Sequence, residues 1–432
     1  MGVFHDGISL KMVPSSPLVR RGATGPAKPG IAPGIVLLLA FTAAVTVANI
    51  YFAQPLLPEM ARSLGVSART VGWVPVLTQV GYAMGLFLFI PLGDAVERRQ
   101  LILALVLASA VALAGAAAAP SAALLAAASL AVGVFAVVPH VAVPLAAHLA
   151  APGDRGRVIG FIMSGVLAGI LLARTAAGLV GGAFGWRAVY ALAAAGMVAL
   201  ALALARLLPH APPERTVRYP ELLASLWTLV RHEPELRQAS LIGAMGFGAF
   251  SVFWTTLAFF LETPPHHWGA EGAGLFGLIG LAGALAAPVV GRVADRRGPR
   301  FATGIALAVA LASFALLALL GTSLAGLVLG VVLLDVGVQS AHVANLARVH
   351  ALDPGARSRR NTVYMVSYFA GGALGTWLGV RAWVGFGWPG VCATGAAFVV
   401  AALLAWSRSG AGGAPVAPSA APPRGPGAAP PR

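Results

Sequence analysis

Charge is what this chain has least of. Asp, Glu, Lys and Arg make up 10% of its 432 residues, against about 25% in a soluble protein. So few charges cannot clothe a water-exposed fold of this size, which excludes a set of ordinary soluble domains. Cysteine is scarcer still. The single Cys392 stands in an apolar run, so an internal disulfide and a cysteine-built metal site are both excluded. Residues 1–30 are rich in Pro and Gly and hold no apolar core of roughly 7–15 residues, so they are not read as a signal peptide.

What is present is hydrophobic: 58% of the residues are apolar. A membrane helix needs about 20 such residues in a row. Twelve stretches qualify: 34–54, 72–92, 100–119, 125–149, 157–182, 186–206, 240–261, 273–293, 300–320, 323–349, 360–384 and 388–407. A soluble helical core would need a polar face on most of these, and they have none. The expected fold class is therefore an all-α polytopic membrane protein with twelve transmembrane helices.

The net charge is +15, but Lys and Arg do not gather on one face as in a nucleic-acid binder. They fall in short clusters between the apolar runs. With the N-terminus placed in the cytoplasm, 24 of the 29 lie in inner segments. The outer side holds Arg62, Arg69, Arg187 and Arg381, and Arg174 lies within a span. This asymmetry predicts that both termini are cytoplasmic. Residues 1–33 and 408–432 are expected to be disordered tails. Between spans six and seven, 207–239 forms the longest connection. In it Leu222, Leu226, Leu229 and Val230 share one helical face, predicting an amphipathic helix on the inner membrane surface.

That connection divides 34–206 from 240–407, and the two parts repeat. "PGDRGR" at 152–157 matches "PGARSR" at 354–359, an offset of 202. The same offset carries His140 to His342, His148 to His350, and Gly185-Trp186 to Gly387-Trp388. "PLGDAVERR" (91–99) resembles "GRVADRRGPR" (291–300), Asp94 standing opposite Asp295. Two pseudo-symmetric six-helix bundles of this kind are a transporter architecture.

Those two loops resemble the signature loop of the major facilitator superfamily. "NIYFAQPLLPEMA" (49–61) and "GWRAVY" (185–190) resemble the bacterial drug–proton antiporter-like branch. The resemblance spans roughly 34–407 and implies the major facilitator fold, with spans one, four, seven and ten around a central cavity. It implies a gate on the cytoplasmic side built from Asp94, Arg98, Arg99, Asp295, Arg296 and Arg300. It also implies that spans two–eleven and five–eight slide between the halves. The glycine stripes suit such contacts: Gly81 and Gly85; Gly165 and Gly169; Gly274, Gly277, Gly280 and Gly283; Gly371, Gly375 and Gly379. Two family features are missing. Span four has no Arg, and Arg174-Thr175 stands where the span-five antiporter motif ends in Gly-Pro.

A charge in mid-span costs at least about 2.5–3.5 kcal/mol, so it needs a partner or a wet cavity. Arg174 and Asp335 are such charges. Each is read as functional, against the plainer alternative of a static ion pair. Asp335, Gln339 and His342 stack on one face of span ten, with Asn345 beyond. Asp335 or His342 is expected to take part in coupling. His140 holds the matching place in span four. Asn49, Tyr51, Gln54, Gln79 and Tyr82 are hydrogen-bonding candidates, and Phe253 and Trp254 stacking candidates, for a substrate pathway. Two other motif matches fail. "GAGLFG" (272–277) follows no strand, and "HEPEL" at 232 lacks the second His of a zinc helix.

The expected function is secondary active transport of small, lipophilic compounds by alternating access, most simply proton-coupled efflux across a bacterial cytoplasmic membrane. Import or facilitated passage of a small metabolite is the alternative. A membrane-embedded enzyme would need an acid, base or metal cluster that cannot be assembled here, and a receptor gives no reason for the duplication. No cofactor, metal or nucleic acid is expected, and the protein is expected to work as a monomer in the bilayer.

Overall fold

The structure, a computed structural model, describes residues 31–210, 219–280, 292, 296–352 and 356–408. The expected tails as far as residue 30 and after 408, Asp295 and Gly283 lie outside the described residues, as does the side chain of Asp94.

Ten described helices are long and apolar enough to cross a membrane. The longest, Arg357–Ser407, turns back at Gly387 and makes spans eleven and twelve. Ala270–Ile279 opens span eight. The described residues thus follow the order of twelve spans, with spans one to six between Pro33 and Leu207 and seven to twelve between Pro234 and Ser407. The duplication shows in the backbone. Gly185 and Gly387 both take positive φ, 83° and 60°, a conformation strained for residues with a Cβ. Each precedes a buried Trp. The Trp186 indole donates to Ser63 Oγ at 2.8 Å, and that of Trp388 to the Leu317 carbonyl at 3.0 Å.

Two spans are broken, and proline explains both. Span one runs Pro33–Ala48, then Ala53–Leu64. Pro55 has no N–H and its ring crowds the carbonyl four residues back, at Tyr51. The chain tightens there, Ile50 and Tyr51 donating to Val47 and Ala48 only three residues back. Span four runs Ala122–Phe135, then Pro139–Leu149, and Pro139 does the same work at Phe135. His140 follows that break directly.

Most of the glycine stripes pack elsewhere than the sliding contacts expected of them. A Cβ on Gly81 or Gly85 would strike the backbone of Leu130 or Val134 in span four. One on Gly165 or Gly169 would strike Ala40 or Ala44 in span one, and one on Gly371 or Gly375 would strike Ala244 or Gly248 in span seven. These stripes draw helices together inside each half. The span-eight stripe alone meets the other half, Gly274 and Gly277 lying against Arg174, Thr175 and Gly178 of span five.

The linker helix, Tyr219–His232, buries Leu226 against the bundle and leaves Trp227 69% exposed. Its apolar face therefore covers protein, and Tyr219 Oη donates to the Leu88 carbonyl of span two at 2.8 Å. The two halves meet through Arg62–Glu262 at 2.6 Å, Thr175 Oγ1 to the Gly274 carbonyl at 2.9 Å, and Gln79 Nε2 to Thr376 Oγ1 at 2.8 Å. By the alternation of spans, all three lie between the middle of the bundle and the side opposite the termini. The conformation is closed on that side.

Candidate functional site

Arg174 is among the largest fully buried side chains, 2% exposed. It is at the seam because span eight presents Gly277 there, so close that a Cβ would crowd the Arg174 Cβ. Its Nε donates to Gln54 Oε1 at 2.6 Å. Gln54 opens the second segment of span one, and Tyr51 belongs to the break itself. The guanidinium lies 4.7 Å from the Tyr51 ring centre, 4.3 Å from that of Trp254 and 5.7 Å from that of Phe250. Arg174 is thus boxed by aromatic faces from both halves, an arrangement that favours a desolvated cation.

Asp335 of span ten, 3% exposed, stands beside Gly280 of span eight. It is near enough to Arg174 for their charges to interact, and the Trp254 indole reaches both. No direct pair closes. The Trp254 indole N–H is directed at Asp335 but lies beyond ordinary hydrogen-bond distance, so Trp254 Nε1, Asp335 Oδ2 and Arg174 Nη2 are all buried without a closed hydrogen bond among the described residues. Buried polar groups are nearly always satisfied, so three such atoms in one cluster make it the candidate site. A cavity of about 10 Å³ opens beside Gln54, Arg174 and Trp254, room for about one water.

From this cluster an aromatic strip follows span seven. Phe247, Phe250 and Trp254 succeed one another at helical spacing. Phe247 stacks on Tyr368, 4.2 Å between centres, and meets Phe369 edge-on. Tyr82 lies on Phe369 at 4.3 Å and edge-on to His140. His342 lies 4.5 Å from Tyr368, its Nδ1 3.1 Å from Tyr364 Oη. The two repeat-related histidines therefore sit at opposite ends of one band of rings.

The other candidates are dispersed. Gln79 is occupied by Thr376 and Ser251. Asn345 donates to the Ala239 carbonyl at 2.6 Å and ties span ten to span seven. Asn49 turns toward Met197 of span six, and Gln339 is half-buried with no contact to the cluster among those described. Of the expected gate, Arg99 bonds the Ala205 carbonyl and His210, which also meets Glu97. Arg98 donates to the Gly93 carbonyl, Arg300 stacks on Trp406, and Arg296 is exposed. Of these contacts, those to His210 reach the linker and the others stay within one half. Phe250, Phe247 and Tyr368 were not singled out by sequence. The visible signal was the 3-and-4 spacing of Phe247, Phe250 and Trp254.

The Major Facilitator Superfamily model matches residues 39–376. YgaY of Escherichia coli (strain K12), a protein named as an uncharacterized transporter, is 40% identical over 378 residues, covering 88% of this chain and 96% of that one. The transporter SCO4007 of Streptomyces coelicolor is 42% identical over 400 residues, 91% of each. Among solved structures, a bacterial homologue of the human lysosomal transporter Spinster, inward-facing and unoccupied, superposes with a TM-score of 0.70 at 18% identity, over 88% of this chain and 96% of that one. The match over most of the chain, joined to the duplicated six-span halves, shows that this chain belongs to the Major Facilitator Superfamily.

Proposed function

We propose that this transporter is a secondary active, proton-coupled carrier of small compounds with an apolar, aromatic body, and that the Arg174–Trp254–Asp335 cluster is its substrate and coupling site. One observation carries this. The unpartnered buried groups come from both halves, Arg174 from span five and Trp254 and Asp335 from spans seven and ten. They meet on the seam that alternating access must open and close. Asp335 is the acid of the pair and takes up or gives up the proton. Arg174 and Tyr368 are the charged or titratable groups in reach of it, and Tyr51 lies against Arg174. The protein sits in the cytoplasmic membrane with both termini inside, and it works as a monomer.

Export of lipophilic compounds, the direction implied by the antiporter-like motifs, requires substrate and proton to exclude each other at Asp335. A second reading, uptake with the proton, is favoured by the vacant valence on Arg174, which a substrate fills while a protonated Asp335 stands aside. Growth of an efflux-deficient strain across a broad compound panel tests the first. In proteoliposomes, Asp335→Asn should abolish gradient-driven transport while gradient-free counterflow survives. Gradient-driven transport at the wild-type rate in that variant would remove Asp335 from coupling.

A further inference from the structure

The charge count of the site names a substrate class. We infer that the cluster recognises a small organic anion, a carboxylate carried on a flat aromatic body. This rests on the reading of the cluster as the substrate site. Arginine keeps its charge in proteins, whereas Asp335 is either ionised or protonated. The other titratable side chains at the cluster, Tyr51 against Arg174 and Tyr368 stacked on Phe247, are phenols, a class ordinarily neutral at physiological pH. The site therefore holds a net charge of zero or plus one and never a negative one. On net charge a cationic ligand gains nothing in either state of Asp335, whereas an anion gains whenever Asp335 is protonated.

Geometry agrees with the count. Gln54 occupies Nε and leaves the buried Nη2 without a partner among the described residues. A carboxylate accepts from that nitrogen in a charge-assisted hydrogen bond, the kind guanidinium makes best. Leading away from it are Trp254, Phe250 and Phe247. The seven residue steps from Phe247 to Trp254 rise roughly 10 Å, room for one or two fused rings. When the seam parts and widens the one-water cavity now there, such a ligand places its charge at the guanidinium and its face along the strip.

The test uses one ring system in three charge states: 1-naphthoate, 1-naphthamide and 1-naphthylmethylammonium. Equilibrium binding of tritiated 1-naphthoate to the purified full-length protein is measured, with the other two as competitors. The acid should bind, and each competitor should need at least about a tenfold higher concentration to displace half of it, the scale of one charge-assisted hydrogen bond. Arg174→Gln should bring the three probes within about twofold of one another. If that variant does not fold, the charge series on the unaltered protein decides alone. Amide or ammonium binding as well as the acid overturns the inference, and so does failure of the acid to bind. The two readings fail differently. Amide or ammonium binding that is lost in Trp254→Leu leaves the site standing and removes only the anion. Acid binding that is unchanged in Arg174→Gln, Gln54→Leu and Trp254→Leu removes the site as well.

Discussion

Arg174 is held by shape as much as by charge. One nitrogen bonds Gln54 and the plane lies among three aromatic rings. Lysine keeps the charge but offers neither the plane nor the fork. Arg174→Lys should therefore lose transport nearly as fully as Arg174→Gln, at least about tenfold, with normal insertion into the membrane. Transport assayed beside the amount of protein in the membrane checks this, and a Lys variant at the wild-type rate would reduce Arg174 to a bare positive charge. Much of this site was legible beforehand. Arg174 and Asp335 declared themselves as charges in apolar spans, and Trp254, Gln54 and Tyr51 as polar or aromatic interruptions. What sequence could not convey was which of them meet. Gln54 and Gln79 look alike as glutamines in outer half-spans, yet one bonds Arg174 and the other Thr376. That choice depends on helix rotation and on the break at Pro55, neither of which hydropathy records.

At the scale of the helix, the same limit applies to the glycine stripes. Spacing by four announces that another helix comes close, not which one. Gly85 meets the Val134 backbone of span four, and Gly375 meets Gly248 of span seven. Each is thus a fixed contact inside a half. A side chain there overpacks the half and should cost about 1–3 kcal/mol of stability. Gly85→Val and Gly375→Val should lower the thermal midpoint of the purified protein. At Gly196 a Cβ would meet open space, with nothing within 4 Å, so Gly196→Ala should leave that midpoint level or raise it, by helix propensity alone. Equal losses at all three positions would show that the stripes report backbone flexibility and not packing. The twelve spans themselves were legible because hydropathy needs no partner to be read. The breaks at Pro55 and Pro139 were not, since proline in a membrane helix is tolerated as often as it breaks one.

The whole molecule is two halves sharing a seam, closed on the side away from the termini. The latch on that side is Arg62 with Glu262, joining the ends of spans one and seven. Its side chains are 63% and 27% exposed, so the pair contributes little energy, about 0–1 kcal/mol. Arg62→Ala alone should therefore change transport by less than about fivefold. Position is what matters here. If transport proceeds by alternating access, these two points must separate in every cycle. Cys392 is the single native cysteine and is buried, so Cys392→Ser gives a thiol-free background at the cost of one core contact. On it, Arg62→Cys and Glu262→Cys together provide two thiols across the seam. A short bifunctional thiol reagent with a cleavable disulfide should join them and stop transport, and reduction should restore it. Either cysteine alone, treated the same way, should keep transporting. Undiminished transport by the cross-linked protein would mean that the halves never part on this side, and that the closed face is a permanent wall.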